Sequence, residues 1–141
     1  MILILSLVSC KKKEDIPSLI LEINKTSFSI EDTLFITFKN NTNSICKYLV
    51  CDTIPAPHID IIVSKFNTLK NKWEGFLSPF CGEKLLYLGG EVESGGALKD
   101  TIFLSQFPDG QYKVMIAIKE YNNNIPVAYR ELFSKEFLIQ K

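Results

Sequence analysis

The chain has 141 residues, 16 of them basic and 16 acidic, for a formal net charge of zero. That balance, with a single arginine (Arg130) and one short lysine run, argues against nucleic-acid binding and against an arginine clamp on phosphate or carboxylate. There is no internal repeat and no low-complexity tract, and the length suits one domain with a sizeable core.

In chain order, the first element is Met1–Ser9, an uncharged stretch with seven large apolar residues. It matches the apolar region of a secretory signal, which runs about 7–15 residues, and is too short for a spanning helix of about 20. No positive residue precedes it, so the signal is expected to begin upstream of Met1. The run closes with Leu7-Val8-Ser9-Cys10 and meets Lys11-Lys12-Lys13-Glu14-Asp15 at once. That junction resembles a bacterial lipobox, in which the cysteine is acylated and becomes the first residue of the mature protein. The expected organisation is a signal peptide over 1–9, a lipidated tether over 10–17 and one domain over 18–141. Two or three acyl chains on Cys10 would suffice for stable anchoring, at about 0.8 kcal/mol per buried CH₂. The charged run after the cysteine is similar to that of some surface-exported Gram-negative lipoproteins. The expected location is therefore the outer membrane, on its surface or its periplasmic side.

The period-2 alternation of strands dominates from residue 19 onward. Leu19, Leu21 and Ile23 alternate with Ile20, Glu22 and Asn24, and Phe28 and Ile30 follow. Leu34, Ile36 and Phe38 alternate with Phe35, Thr37 and Lys39, and Asn40-Asn41-Thr42-Asn43 makes a turn. Residues 45–51 are apolar on both faces, as in a strand buried between sheets. Pro55 and Pro57 break the chain, Ile59, Ile61 and Val63 alternate again, and 66–72 turns into a strand carrying Trp73. Gly89-Gly90 and Gly95-Gly96 read as turns. Leu98, Ile102 and Leu104 form a strand, and Tyr112, Val114, Ile116 and Ile118 form the clearest one. Asn122-Asn123-Asn124 turns it into a last strand ending in Phe137 and Ile139. Short strands with turn signals every 8–12 residues predict an all-β, antiparallel, immunoglobulin-like β-sandwich of about 7–9 strands, with a small barrel as the alternative.

With Cys10 set aside, Cys46, Cys51 and Cys81 remain. Cys46 and Cys51 lie in one extended strand, roughly 16 Å apart, far beyond the reach of a disulfide. A pair must therefore involve Cys81. Cys51–Cys81 is favoured and Cys46–Cys81 is the alternative. Three cysteines and the one histidine, His58, lack zinc-site spacing, so no metal is expected.

Pro108-Asp109-Gly110-Gln111-Tyr112-Lys113-Val114 looks like a tyrosine corner, in which a Tyr early in a late strand bonds back to the preceding loop. With that motif, the Ser27–Lys39 pattern followed by Asn40-Asn41, the Lys70–Trp73 turn and the loop before Leu98–Leu104, the chain over about residues 18–140 resembles bacterial immunoglobulin-like domains. The same order occurs in the intracellular proteinase inhibitor family of bacilli and related exported domains. The likeness implies the sandwich fold and a structural role for Tyr112. It raises proteinase inhibition through a loop as an alternative function, although no reactive-loop residue can be matched.

Catalytic constellations are not apparent. No G-x-S-x-G accompanies His58, which follows Ala56-Pro57 at a strand start. Glu31-Asp32 and Glu91/Glu93 read as solvated turn carboxylates, and Asp52 and Asp60 lack calcium-loop spacing. No cofactor is implied. Trp73, Phe76, Phe80 and Tyr87 cluster around Cys81 in sequence and form the candidate contact surface, because aromatic residues are enriched at interfaces. The expectation is a non-catalytic, membrane-anchored binding or envelope-assembly module whose partner is an envelope protein or a glycan.

Overall fold

The computed structural model describes residues 18–52, 58–75, 81 and 85–141. The signal and tether expected over 1–17, with Cys10, lie outside the described residues, as do Phe76 and Phe80. The protein is all-β: twelve strands and one 3₁₀ turn (Leu104–Gln106), with no α-helix among the described residues.

A three-stranded antiparallel sheet is built from β1 (Leu19–Ile23), β3 (Thr33–Asn40) and β9 (Ala97–Phe103), with β3 in the middle. The larger sheet holds β2 (Ser27–Ser29), β4 (Ile45–Cys51), β5 (His58–Ile59), β6 (Ile61–Asn67), β7 (Lys72–Gly75), β8 (Leu86–Val92), β10 (Gly110–Asn122), β11 (Ile125–Phe133) and β12 (Phe137–Gln140). Its organiser is β10, which pairs antiparallel with β12, β6, β11 and β4 in successive registers. Beyond it, β7 pairs with β6 and β8 with β4. One pair departs from the antiparallel expectation: β2 runs parallel to β12.

The strand count exceeds the expected 7–9 for local reasons. The run from His58 to Asn67 is broken at the buried Asp60, whose N–H donates to the Leu49 carbonyl. Its first part pairs with β4 and its second with β10. The single last strand expected after Asn124 is two strands. Between them, the buried Ser134 donates its N–H to the Val114 carbonyl and accepts the Val114 N–H on its hydroxyl. That exchange ends β11 and starts a new register for β12. Gly89 and Gly90 are not turn residues but lie inside β8. A side chain at Gly90 would run into the Tyr48 ring, its Cβ falling 2.0 Å from Tyr48 Cζ. The pairing of β4 with β8 shifts register beside them, between Tyr48 and Leu49.

The core follows from alternation. Leu34, Ile36 and Phe38 of β3 and Tyr112, Val114, Ile116 and Ile118 of β10 are buried in one cluster with residues of both sheets. The β10–β11 hairpin closes on Asn123 and Asn124, both at positive φ (49° and 62°), between the paired Asn122 and Ile125. Two successive left-handed residues give the twist that a two-residue hairpin needs, and Asn tolerates that conformation.

Tyr112 is fully buried, and its hydroxyl donates to the Pro108 carbonyl at 2.6 Å. Its ring stacks on Phe137 at 5.9 Å and meets Phe107 edge-on at 5.8 Å. Gly110 enters the strand at φ 154°, where a Cβ would fall 2.5 Å from Lys65 Cε. Tyr112→Phe keeps the ring and removes one hydrogen bond to an exposed loop. It should cost about 1 kcal/mol in urea unfolding of the full chain. Tyr129→Phe, on a ring that is 63% exposed, should leave the midpoint unchanged.

Candidate binding surface

Of the expected contact residues, Phe76 and Phe80 lie outside the described residues, and Trp73 and Tyr87 lie on opposite faces of the larger sheet. Trp73 opposes Phe66 across β7 and β6, and the two rings meet edge-on at 5.3 Å. Val63 and Ile61 of β6 face the core, so Phe66 and Trp73 face outward. Tyr87 instead opposes Val50, a buried residue, and so takes the other face of the sheet. Its hydroxyl donates to the Asp52 carboxylate at 2.7 Å, a bond that, ahead of burial, raises the phenol above its ordinary range.

Cys81 is buried and joined to Cys51 by a disulfide, with Cα atoms 5.5 Å apart and a sequence separation of 30. In the chain-entropy description, a loop of that size contributes about 3.5 kcal/mol. The disulfide fastens the segment before β8 to the end of β4. Cys46 remains a free, buried thiol. It lies at the other end of β4, opposite Glu120 in the β4–β10 register. The buried Glu120 carboxylate accepts from the Arg130 guanidinium, the only arginine in the chain. Burial first, then the Glu120 charge, push the Cys46 thiol up to about 11, with Arg130 acting the other way. Nearby, the fully buried Asn40 side chain donates to the carbonyls of Ser44, Val92 and Glu93 and accepts from Thr42. What reads locally as the start of a turn is thus a clasp on three separate segments.

Sequence reasoning did not single out the outward face of β10. Lys113, Met115, Ala117, Lys119 and Tyr121 alternate with the core row and are each half-buried. The Lys113 ammonium lies 4.4 Å from the Trp73 ring centroid and 4.6 Å from that of Phe133. Further along, Lys119 is directly opposite Lys47 of β4 and Tyr129 of β11. Tyr121 lies under both lysines, with centroid distances of 5.1 Å to Lys47 and 6.0 Å to Lys119. Lys47 reaches the Glu91 carboxylate only at 3.8 Å. Neither Lys113 nor Lys119 has a carboxylate within ion-pair distance among the described residues. Phe133 and Tyr129 stay 49% and 63% exposed. The signal was present in the sequence as the non-core half of the alternation, which carries Met115 and Tyr121 where a plain solvent face would be polar throughout.

His58 opens β5, Asp52 follows the end of β4, and Asp60 lies between β5 and β6. No group of three or more His, Cys, Asp or Glu placed to hold a metal occurs among the described residues. No protein-family model and no curated protein matches the chain. Among solved structures, it is similar to the alkylpurine DNA glycosylase AlkC of Pseudomonas fluorescens, bound to DNA containing an abasic site analog. Identity is 12% and the TM-score 0.35, over 82% of this chain and 29% of that one. The chain thus spans under a third of that protein, and a likeness of this size carries no argument.

Two buried groups contribute to an alkaline limit of the fold. The Cys46 thiol is raised to about 11 and the Tyr112 phenol to about 12, the latter by burial and then by Asp109. In both cases the folded state holds its proton more tightly than the unfolded chain. Each contribution is complete below the unfolded value, about 8.5 for Cys and about 10 for Tyr, and is lost as pH rises through the folded one. Stability should therefore decline from about pH 8.5 upward. Cys46→Ala should flatten the first part of that decline and Tyr112→Phe the second, read by urea midpoints across pH 7–12.

Proposed function

We propose that this protein is a lipid-anchored, non-catalytic binding module of the bacterial cell envelope, built on an immunoglobulin-like sandwich. The observation that carries the binding role is the outward face of β10, where the Lys113 and Lys119 ammonium groups share a partly apolar surface with aromatic rings and have no carboxylate in ion-pair distance among the described residues. Such a surface pairs an apolar centre with charges that seek a complementary partner.

Three features support the sandwich assignment: two sheets around one core, the parallel pairing of β2 with β12, and the Tyr112–Pro108 bond ahead of a late strand. The anchor rests on the Leu7-Val8-Ser9-Cys10 junction. An acylated Cys10 holds the domain on a short charged tether at the membrane surface, in reach of envelope polymers and proteins.

Two measurements test this. Expressed with a complete signal, the wild type should fractionate with membranes and carry the mass of its acyl chains. Cys10→Ala should be released as a non-acylated protein; equal membrane retention of the two would remove the anchor. A panel of serine, cysteine and metalloproteinases should lose no activity at stoichiometric concentrations of the protein. Stoichiometric inhibition of any of them would replace the binding module by a proteinase inhibitor.

A further inference from the structure

The proposed binding role gains a ligand class from the arrangement of charges on the β10 face; the inference rests on that role. The face carries two separate ring-and-ammonium arrays. One is Lys113 between Trp73 and Phe133, whose ring centroids are no more than about 9 Å apart across the ammonium. The other is Tyr121 under Lys119 and Lys47. Six to eight residues of extended β10 separate them, about 20–27 Å.

The second array contains a charge conflict. Lys47 and Lys119 are direct cross-strand partners. Like charges in that position disfavour the sheet, and the Glu91 contact at 3.8 Å answers only Lys47. A bound anion would relieve the conflict. The same carboxylate, however, would find no apolar partner if it came on a flexible arm alone. Each array asks for an anion and a flat, C–H-rich face in one unit, and the pair of arrays asks for that unit to repeat along a chain.

We infer that the outward face of β10, with its neighbours on β7, β4 and β11, binds an acidic polysaccharide whose repeating sugars carry carboxylates. A uronate ring presents its C–H face to an aromatic ring while its carboxylate accepts from the adjacent ammonium. Nucleic acid, which also combines charge with stacking faces, fits less well. It needs many phosphate contacts, whereas this face has three lysines, one of them shared with Glu91, and carries Glu131 opposite Ala117. An acidic peptide supplies the charge without the flat face beside it.

The test uses the full chain in detergent, titrated calorimetrically with polygalacturonate, neutral dextran, poly-L-glutamate and oligothymidylate. Polygalacturonate should bind, with affinity falling as salt rises, and the other three should not. Lys113→Gln and Lys119→Gln should each weaken binding about tenfold, while Lys99→Gln on the outward face of the smaller sheet should leave it unchanged. Polygalacturonate should also raise the unfolding temperature of the wild type more than that of Lys119→Gln, a readout that stands even if one variant is poorly folded. No binding of polygalacturonate, or binding indifferent to Lys113 and Lys119, overturns the site and leaves the wider binding role standing. Equal binding of poly-L-glutamate or of oligothymidylate reassigns the ligand and overturns the glycan class. Release of the Cys10→Ala protein from membranes bears on the anchor alone, because the arrays lie within residues 47–133.

Discussion

The architecture depends on the register of β10. This strand of thirteen residues presents Tyr112, Val114, Ile116, Ile118 and Glu120 to the interior and meets four other strands along its two edges. A slip of one residue would turn Lys113, Met115, Ala117 and Lys119 inward and expose the apolar row. Each buried aliphatic side chain contributes about 1.5–3 kcal/mol, so the slipped pairing is far out of reach. The four partner strands inherit their positions from that choice. The parallel β2–β12 pair then fills the end of the core with Phe28 and Phe137, whose rings meet edge-on at 5.5 Å.

The far end of the same inward row is polar. Glu120 occupies it, and Asn40 sits in the same region at the end of β3. Neither is left unsatisfied: Arg130 donates to Glu120, and Asn40 uses both its amide hydrogens and its oxygen. A half-exposed ion pair of this kind contributes little net stability, but removing one partner leaves a costly charge behind. Its effect is on geometry. Glu120 meets Arg130 only when Ile118 opposes Arg130 across β10 and β11, so the pair penalises the slipped hairpin from the polar side as the core does from the apolar side. Asn40 acts similarly on the loops, tying the end of β3 to the start of β4 and the end of β8.

How far the sequence was readable depends on how local the deciding interaction is. Alternation is local, and the strands around Leu34–Phe38, Ile61–Val63 and Tyr112–Ile118 were legible from it. Chain geometry excluded Cys46–Cys51 and directed attention to Cys81. By contrast, Gly89-Gly90 carries every local mark of a turn. Its place inside β8 is decided by the Tyr48 ring more than forty residues earlier in the chain. The break between β11 and β12 is likewise made by Ser134 against the Val114 backbone, twenty residues away. Proximity in sequence does not assign a face: Trp73 and Tyr87 are both near Cys81 in sequence, yet Phe66 and Val50 set them on opposite faces. The surface that emerged was hidden for the same reason. Nothing local says that Lys47 and Lys119 are neighbours.

That neighbourhood bears on why the outward face has the composition it does. A sheet face that serves only to meet water can place opposite charges across its strands and gain from each pair. On the smaller sheet, Lys39 is so placed, 2.6 Å from the Glu22 carboxylate of the adjacent strand. On the larger sheet Lys47 has a cross-strand carboxylate in Glu91, but Lys119 is set opposite Lys47 and Tyr129 instead, and two lysines face each other over Tyr121. Lys113 is also left among rings instead of carboxylates, although Glu131 stands on the same face two residues from Phe133 on β11. The contrast between Lys39 and Lys119 lies within one molecule and one fold. A face that leaves Lys113 and Lys119 without a carboxylate in ion-pair distance among the described residues retains a field that an approaching anion can use, at a small cost in stability that the β10 core readily absorbs.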